Sequence, residues 1–171
     1  MALYGVERVL TEALAVLKAG MSAKLTALAA EYADSVTLPV PDSSTGYWCD
    51  VEPPDPDSSI DMGSISQPTI CVWPLNVAPE GGPDLSNTYE LAQPFVVGVI
   101  VRADTKAQSG KRQMRYVRAV VELLAAVDSL TCGQCLYTGT DWTQRELTPS
   151  EADYTLQGVL SGFVCTTFET P

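Results

Sequence analysis

Histidine is absent from the 171 residues. Its absence removes the commonest general base and metal ligand near neutral pH. No Gly-x-Ser-x-Gly elbow takes its place, and Gly81-Gly82 lacks the strand-to-helix setting of a phosphate-binding loop. Asp55 and Asp57 sit among prolines without the spacing to a bidentate glutamate that a calcium loop needs. Neither an enzyme nor a cofactor is therefore expected. Long apolar runs are missing too, since nothing approaches the roughly 18 consecutive apolar residues of a bilayer span. Glu7 and Glu12 stand where a secretory leader would be basic and then apolar, so residence in a cytosol is expected, at least during synthesis. Basic residues are scarce: 10 Lys and Arg face 21 Asp and Glu, for a net charge of −11. Such a balance disfavours nonspecific contact with nucleic acid or an anionic membrane.

What is present suffices for one core. At 46% hydrophobic and 18% charged residues, a chain of this length predicts a single domain over 1–171. Residues 2–33 read as helical, because Val6, Val9, Leu10, Ala13, Leu14 and Leu17 recur at steps of three and four. Gly20, followed by Ser22 as a cap, predicts a break into two helices. Ser35-Val-Thr-Leu-Pro-Val40 reads as a short edge strand. From Pro39 to Pro94 the chain holds ten of its twelve prolines. Within that stretch residues 41–68 are expected to project as an acidic, proline-rich loop.

Thr69-Ile-Cys-Val-Trp-Pro74 predicts a buried strand, and a second runs from about Asn87 through Pro94-Phe-Val-Val-Gly-Val-Ile-Val101. A polar loop then leads into an amphipathic helix over about 111–128. Its apolar face is expected to carry Met114, Val117, Val121 and Leu124, widened by Val120, Leu123 and Val127. Strands follow over 132–138, 140–147 and 154–168. The fold class is thus α+β, a mixed or antiparallel sheet flanked by an N-terminal helical segment and one amphipathic helix.

Cysteines number five. Cys132 and Cys135 have the spacing of a redox pair or half a zinc site, but Cys49, Cys71 and Cys165 are scattered singly, with no second such pair. The pair follows a helix and opens a strand, whereas an activated thiolate needs a helix N-terminus. Buried thiols are the expected role.

Charge is distributed unevenly. Between Ser35 and Val101 there are nine acids and no basic residue, whereas six of the ten basic residues, Arg102, Lys106, Lys111, Arg112, Arg115 and Arg118, fall within 102–118. Several open the helix, where its dipole disfavours positive charge by some tenths of a kcal/mol. A ligand or a neighbour would explain them; a solvated face is the other explanation. Unlike patches on one subunit permit head-to-tail rings.

The order of elements carries a resemblance. Gly5-Val-Glu-Arg-Val-Leu-Thr-Glu12 at the start, and the strand end Val99-Ile-Val-Arg-Ala-Asp104 followed by Arg115-Tyr-Val-Arg118, make the chain resemble the small tail terminator and tail-completion proteins of long-tailed bacteriophages. The resemblance implies an α+β subunit of a hexameric ring that caps the tail tube and joins it to the head-side connector. Its implied partners are copies of itself, the tail tube protein and the connector protein, in a virion neck assembled in the host cytoplasm. A head-tail connector or stopper on the portal side is the alternative. Lys111, Arg112, Arg115 and Arg118, with Arg102 and Lys106, would then face acidic loops of a neighbour, and Trp48 and Ile60 would anchor the contact.

Overall fold

In a computed structural model of the chain, the structure describes residues 3–49, 68–75, 89–103, 106–126, 130–146 and 155–169. The elements run α1 (Leu3–Tyr32), β1 (Tyr47–Cys49), β2 (Thr69–Pro74), β3 (Tyr89–Ala103), α2 (Lys106–Leu124), β4 (Gly133–Glu146) and β5 (Thr155–Glu169). The strands form one sheet in the order β1-β2-β3-β5-β4. Only β1 and β2 run parallel, and the remaining pairs are antiparallel. The expected α+β class and mixed sheet are what the structure shows.

Strand alternation decides where the core lies. Phe95, Val97, Val99 and Val101 of β3 share one face with Ile70 and Val72 of β2 and Phe163 and Cys165 of β5, and all are buried in a single cluster. Both helices pack there, α1 over β1, β2 and β3, and α2 over β3, β5 and β4. From α1 the cluster takes Val9, Leu10, Ala13, Leu17, Met21, Leu25 and Leu28, a stripe at steps of three and four. Each of its buried Val, Leu and Met side chains contributes about 1.5–3 kcal/mol of transfer free energy. By length and composition alone α1 could cross a membrane, yet this stripe is spent on the core.

Several expectations are corrected. No break occurs at Gly20, because α1 is continuous. The glycine serves helix–helix contact instead: a Cβ there would lie 2.4 Å from Leu123 Cδ2 on α2. Residues 35–40 form no strand. They pass beside α2 without ladder bonds, where Arg112 holds Thr37 and the Tyr116 hydroxyl donates to the Pro39 carbonyl. The first strand lies at Tyr47–Cys49, so that part of the supposed projecting loop belongs to the sheet. Residues 50–67 of that loop fall outside the described residues.

Helix α2 begins five residues before the expected start, and Val127 is outside the described residues. Its buried face is centred on Gln113, Tyr116, Val117, Val120 and Leu124, while Met114 is 61% exposed. The 3-4 spacing that predicts Met114 in the core also fits the neighbouring row of positions. The two terminal strands expected over 132–147 are one strand, β4, with irregularities between Tyr137 and Gly139 and between Asp141 and Arg145.

Candidate assembly surface

The cations of α2 meet the end of α1. That helix has no basic residue in its last turn, where the dipole favours positive charge. It closes on Ala33, which bonds to the Ala29 carbonyl at 3.1 Å and adopts a left-handed φ of 45°. The turn swings Asp34 toward α2. There Arg115, 5% exposed, grips both carboxylate oxygens of Asp34 at 2.9 and 2.6 Å and stacks over the Tyr32 ring at 4.2 Å. Bidentate geometry makes this the strong form of an ion pair. The Arg115 hydrogen bonds hold the Asp34 carboxyl well below the usual carboxylate range, aided by the Val36 N–H.

Arg118 is engaged as fully. It donates to Glu31 at 2.7 and 3.0 Å, to Glu122 at 2.7 Å and to the Tyr32 hydroxyl at 3.2 Å. Glu122 also takes Lys24 of α1 at 2.8 Å. Arg112 donates to the Thr37 carbonyl at 3.0 Å and to its hydroxyl at 2.7 Å. Lys111 makes a looser contact, 3.7 Å from Asp34, and its side chain is 59% exposed. The neighbour that the misplaced charges called for is thus, in large part, the chain itself. Arg102 lies in β3 opposite Leu156, Lys106 opens α2 and Trp48 lies in β1 opposite Cys71. The side chains of these three, and all of Ile60, fall outside the described residues.

Among the described residues a different surface is open. Strand β4 forms one edge of the sheet, and on it Leu136 is 55% exposed and Trp142 is 48% exposed, with Tyr137 also exposed. The strand is anchored on its inner side: Tyr137 stacks obliquely on Phe163 at 5.6 Å, and Thr140 Oγ1 lies 3.0 Å from Ser161 Oγ. Where Asp141 pairs with Leu160 and Arg145 with Gly158, residues 142–144 face Val159 alone, which puts Trp142 in a bulged stretch. Bulges re-aim side chains and blunt an edge against indiscriminate pairing. Sequence reasoning recognised this strand but missed its position, since nothing local distinguishes an edge from a central strand. The exposed Trp and Tyr in an alternating segment were the available signal.

Among the described residues no group of His, Cys, Asp and Glu could hold a metal ion. No family model matches the chain, and no curated protein matches it. Among solved structures, it is similar to a chain of the "Virion of native gene transfer agent (GTA) particle", at 18% identity and a TM-score of 0.44, over 90% of this chain and 95% of that one.

Proposed function

We propose that the protein is a structural virion subunit that forms a hexameric ring capping the tail tube and joining it to the head-side connector. The observation that carries this reading is the open edge of β4, a long strand bearing exposed Leu136 and Trp142. Large apolar side chains on an unpaired ladder are poor company for water, and a second protein surface relieves both the apolar exposure and the open backbone groups. In a ring each copy offers its edge to a different surface of the next, so the contact closes only with rotation. The order of elements, with an arginine-rich helix between the long strands, supports the same reading.

Lys111, with Met114 exposed three residues on, adds a helical patch that meets an acidic loop of a neighbouring copy or virion ring. Trp48 and Ile60 stay as proposed anchors of that contact. The reading includes no catalytic step.

The test is assembly. Purified protein, alone and with tail tube protein, is measured by light scattering and imaged at low resolution, beside a Leu136→Asp, Trp142→Ser variant. Rings from the parent chain on tube ends, with folded subunits from the variant, are the expected outcome. Rings formed equally well by the variant would overturn the role of β4. Binding to portal rather than tube would place the protein on the head side instead.

A further inference from the structure

The cysteines converge in space although they are dispersed in sequence. Cys135 of β4 lies directly opposite Cys165 of β5, and both are buried. Cys132 stands just before β4, in a turn closed by a bridge between Leu130 and Gly133. Its half-buried side chain interacts with that of Cys165.

The backbone holds this approach in place from two sides. Glu12 of α1 accepts the Thr131 N–H at 2.7 Å, the Thr131 hydroxyl at 2.8 Å and the Cys132 N–H at 2.9 Å, while Arg8 donates to the same carboxylate at 2.9 Å. On the other side Gly133 touches β5 so closely that a Cβ would stand 2.1 Å from the Thr166 carbonyl oxygen and 3.1 Å from Cys165 Sγ. Only a residue without a side chain lets the turn lie there. The turn that carries Cys132 is therefore held against the strand that carries Cys165.

We propose that Cys132 and Cys165 form a redox-responsive dithiol that closes into a disulfide in the presence of a small-molecule disulfide, locking the start of the β4 edge strand onto β5. Access orders the two roles. Cys132 can be approached from solvent and Cys165 cannot. Burial pushes the Cys135 and Cys165 thiols up to about 12, whereas at Cys132 burial and the Glu12 carboxylate raise the thiol and the contact with Cys165 offsets part of that rise.

The Cys132 thiolate attacks one sulfur of oxidised glutathione, forming a mixed disulfide and expelling one glutathione thiolate. Cys165 then attacks the Cys132 sulfur, and the second glutathione leaves as the thiol, taking up the proton that Cys165 gives up. The protein gives up two electrons and two protons, and one glutathione disulfide becomes two thiols. Burial of Cys165 makes the closure slow, which suits a bond formed once and kept.

The full chain, incubated with oxidised glutathione, is denatured in N-ethylmaleimide and mapped as non-reduced peptides. The expected result is a linked pair of peptides containing Cys132 and Cys165, with free thiols falling from the five of the sequence to three. The thermal midpoint should rise by roughly 5–10 °C and return on reduction. Cys132→Ser should abolish the bond and the midpoint shift while retaining the parent circular dichroism, whereas Cys135→Ala should keep both. A native chain that retains all its thiols, links Cys135 to Cys165, or forms only intermolecular bonds would overturn the proposal.

Discussion

The α1–α2 seam and the β4 edge are the two places where this chain carries more than a core requires, and they resolve oppositely. At the seam, arginines that looked like an outward face find Glu31, Asp34, Thr37 and Glu122 within their own chain. At the edge, a strand that looked like ordinary sheet leaves Leu136, Tyr137 and Trp142 in solvent. Charge is long-ranged and promiscuous in partner, so a folded chain can satisfy it internally. An open ladder at the end of a sheet has no such remedy. Surplus charge in a sequence is thus a weaker pointer to an interface than an unpaired strand.

Substitutions separate the two regions by their effects. The largest loss is expected from Gly133→Ala, where the added methyl would overlap a backbone carbonyl that cannot rotate away. It should cost about 3 kcal/mol in chemical denaturation, with the start of β4 released first in hydrogen exchange. Arg115→Leu comes next. It strips Asp34 of its bidentate partner and should lower the thermal midpoint by roughly 5 °C, whereas Trp142→Ser should move it by about 1 °C or less and act on association alone. A Trp142 variant as unstable as the Arg115 one would erase the contrast.

Gln113→Leu is expected to act in the opposite sense. Among the described residues, the Gln113 amide and the Ser109 hydroxyl are buried without a hydrogen-bond partner, so removing the amide should stabilise the fold by about 1–2 kcal/mol in urea titration. That outcome would sharpen the picture of a seam whose charges are satisfied beside a core contact that is not.

Glu12→Gln is expected to lose a contribution that is present at neutral pH and that acid erases in the parent. Burial would raise the Glu12 carboxyl, but hydrogen bonds from Arg8, Thr131 and Cys132 outweigh that and hold it at about 2. A depressed folded value means stability fully present above the ordinary value near 4.5 and lost as pH falls through about 2. Asp34 acts in the same direction. Thermal midpoints of parent and Glu12→Gln should therefore differ most above pH 5 and converge near pH 2.

Much of the fold was legible because its elements repeat a period over many residues. Strands β2, β3 and β5 announce themselves through apolar and β-branched runs, and α2 through its spacing, to within one row of positions. Local signals failed where a residue answers to a distant one. Gly20 reads as a helix breaker in isolation and proves to be the contact point for Leu123, 103 positions away. The segment 35–40 has strand composition, but its hydrogen bonds go to α2 side chains rather than to a ladder. The candidate site divides likewise: the arginines were visible and their partners were not, whereas Leu136 and Trp142 were passed over because an edge exists only relative to other strands.

Composition and periodicity by themselves determined the α+β class, the run of long strands around an amphipathic helix, and a chain without histidine. These depend on near neighbours, through backbone geometry and the side on which each residue falls. Tertiary structure alone decided which charges are spent inside the subunit, which strand is left at the edge, and that Cys132 meets Cys165. Those outcomes join residues far apart in the chain, and only the packed sheet and its helices bring them within a few ångströms.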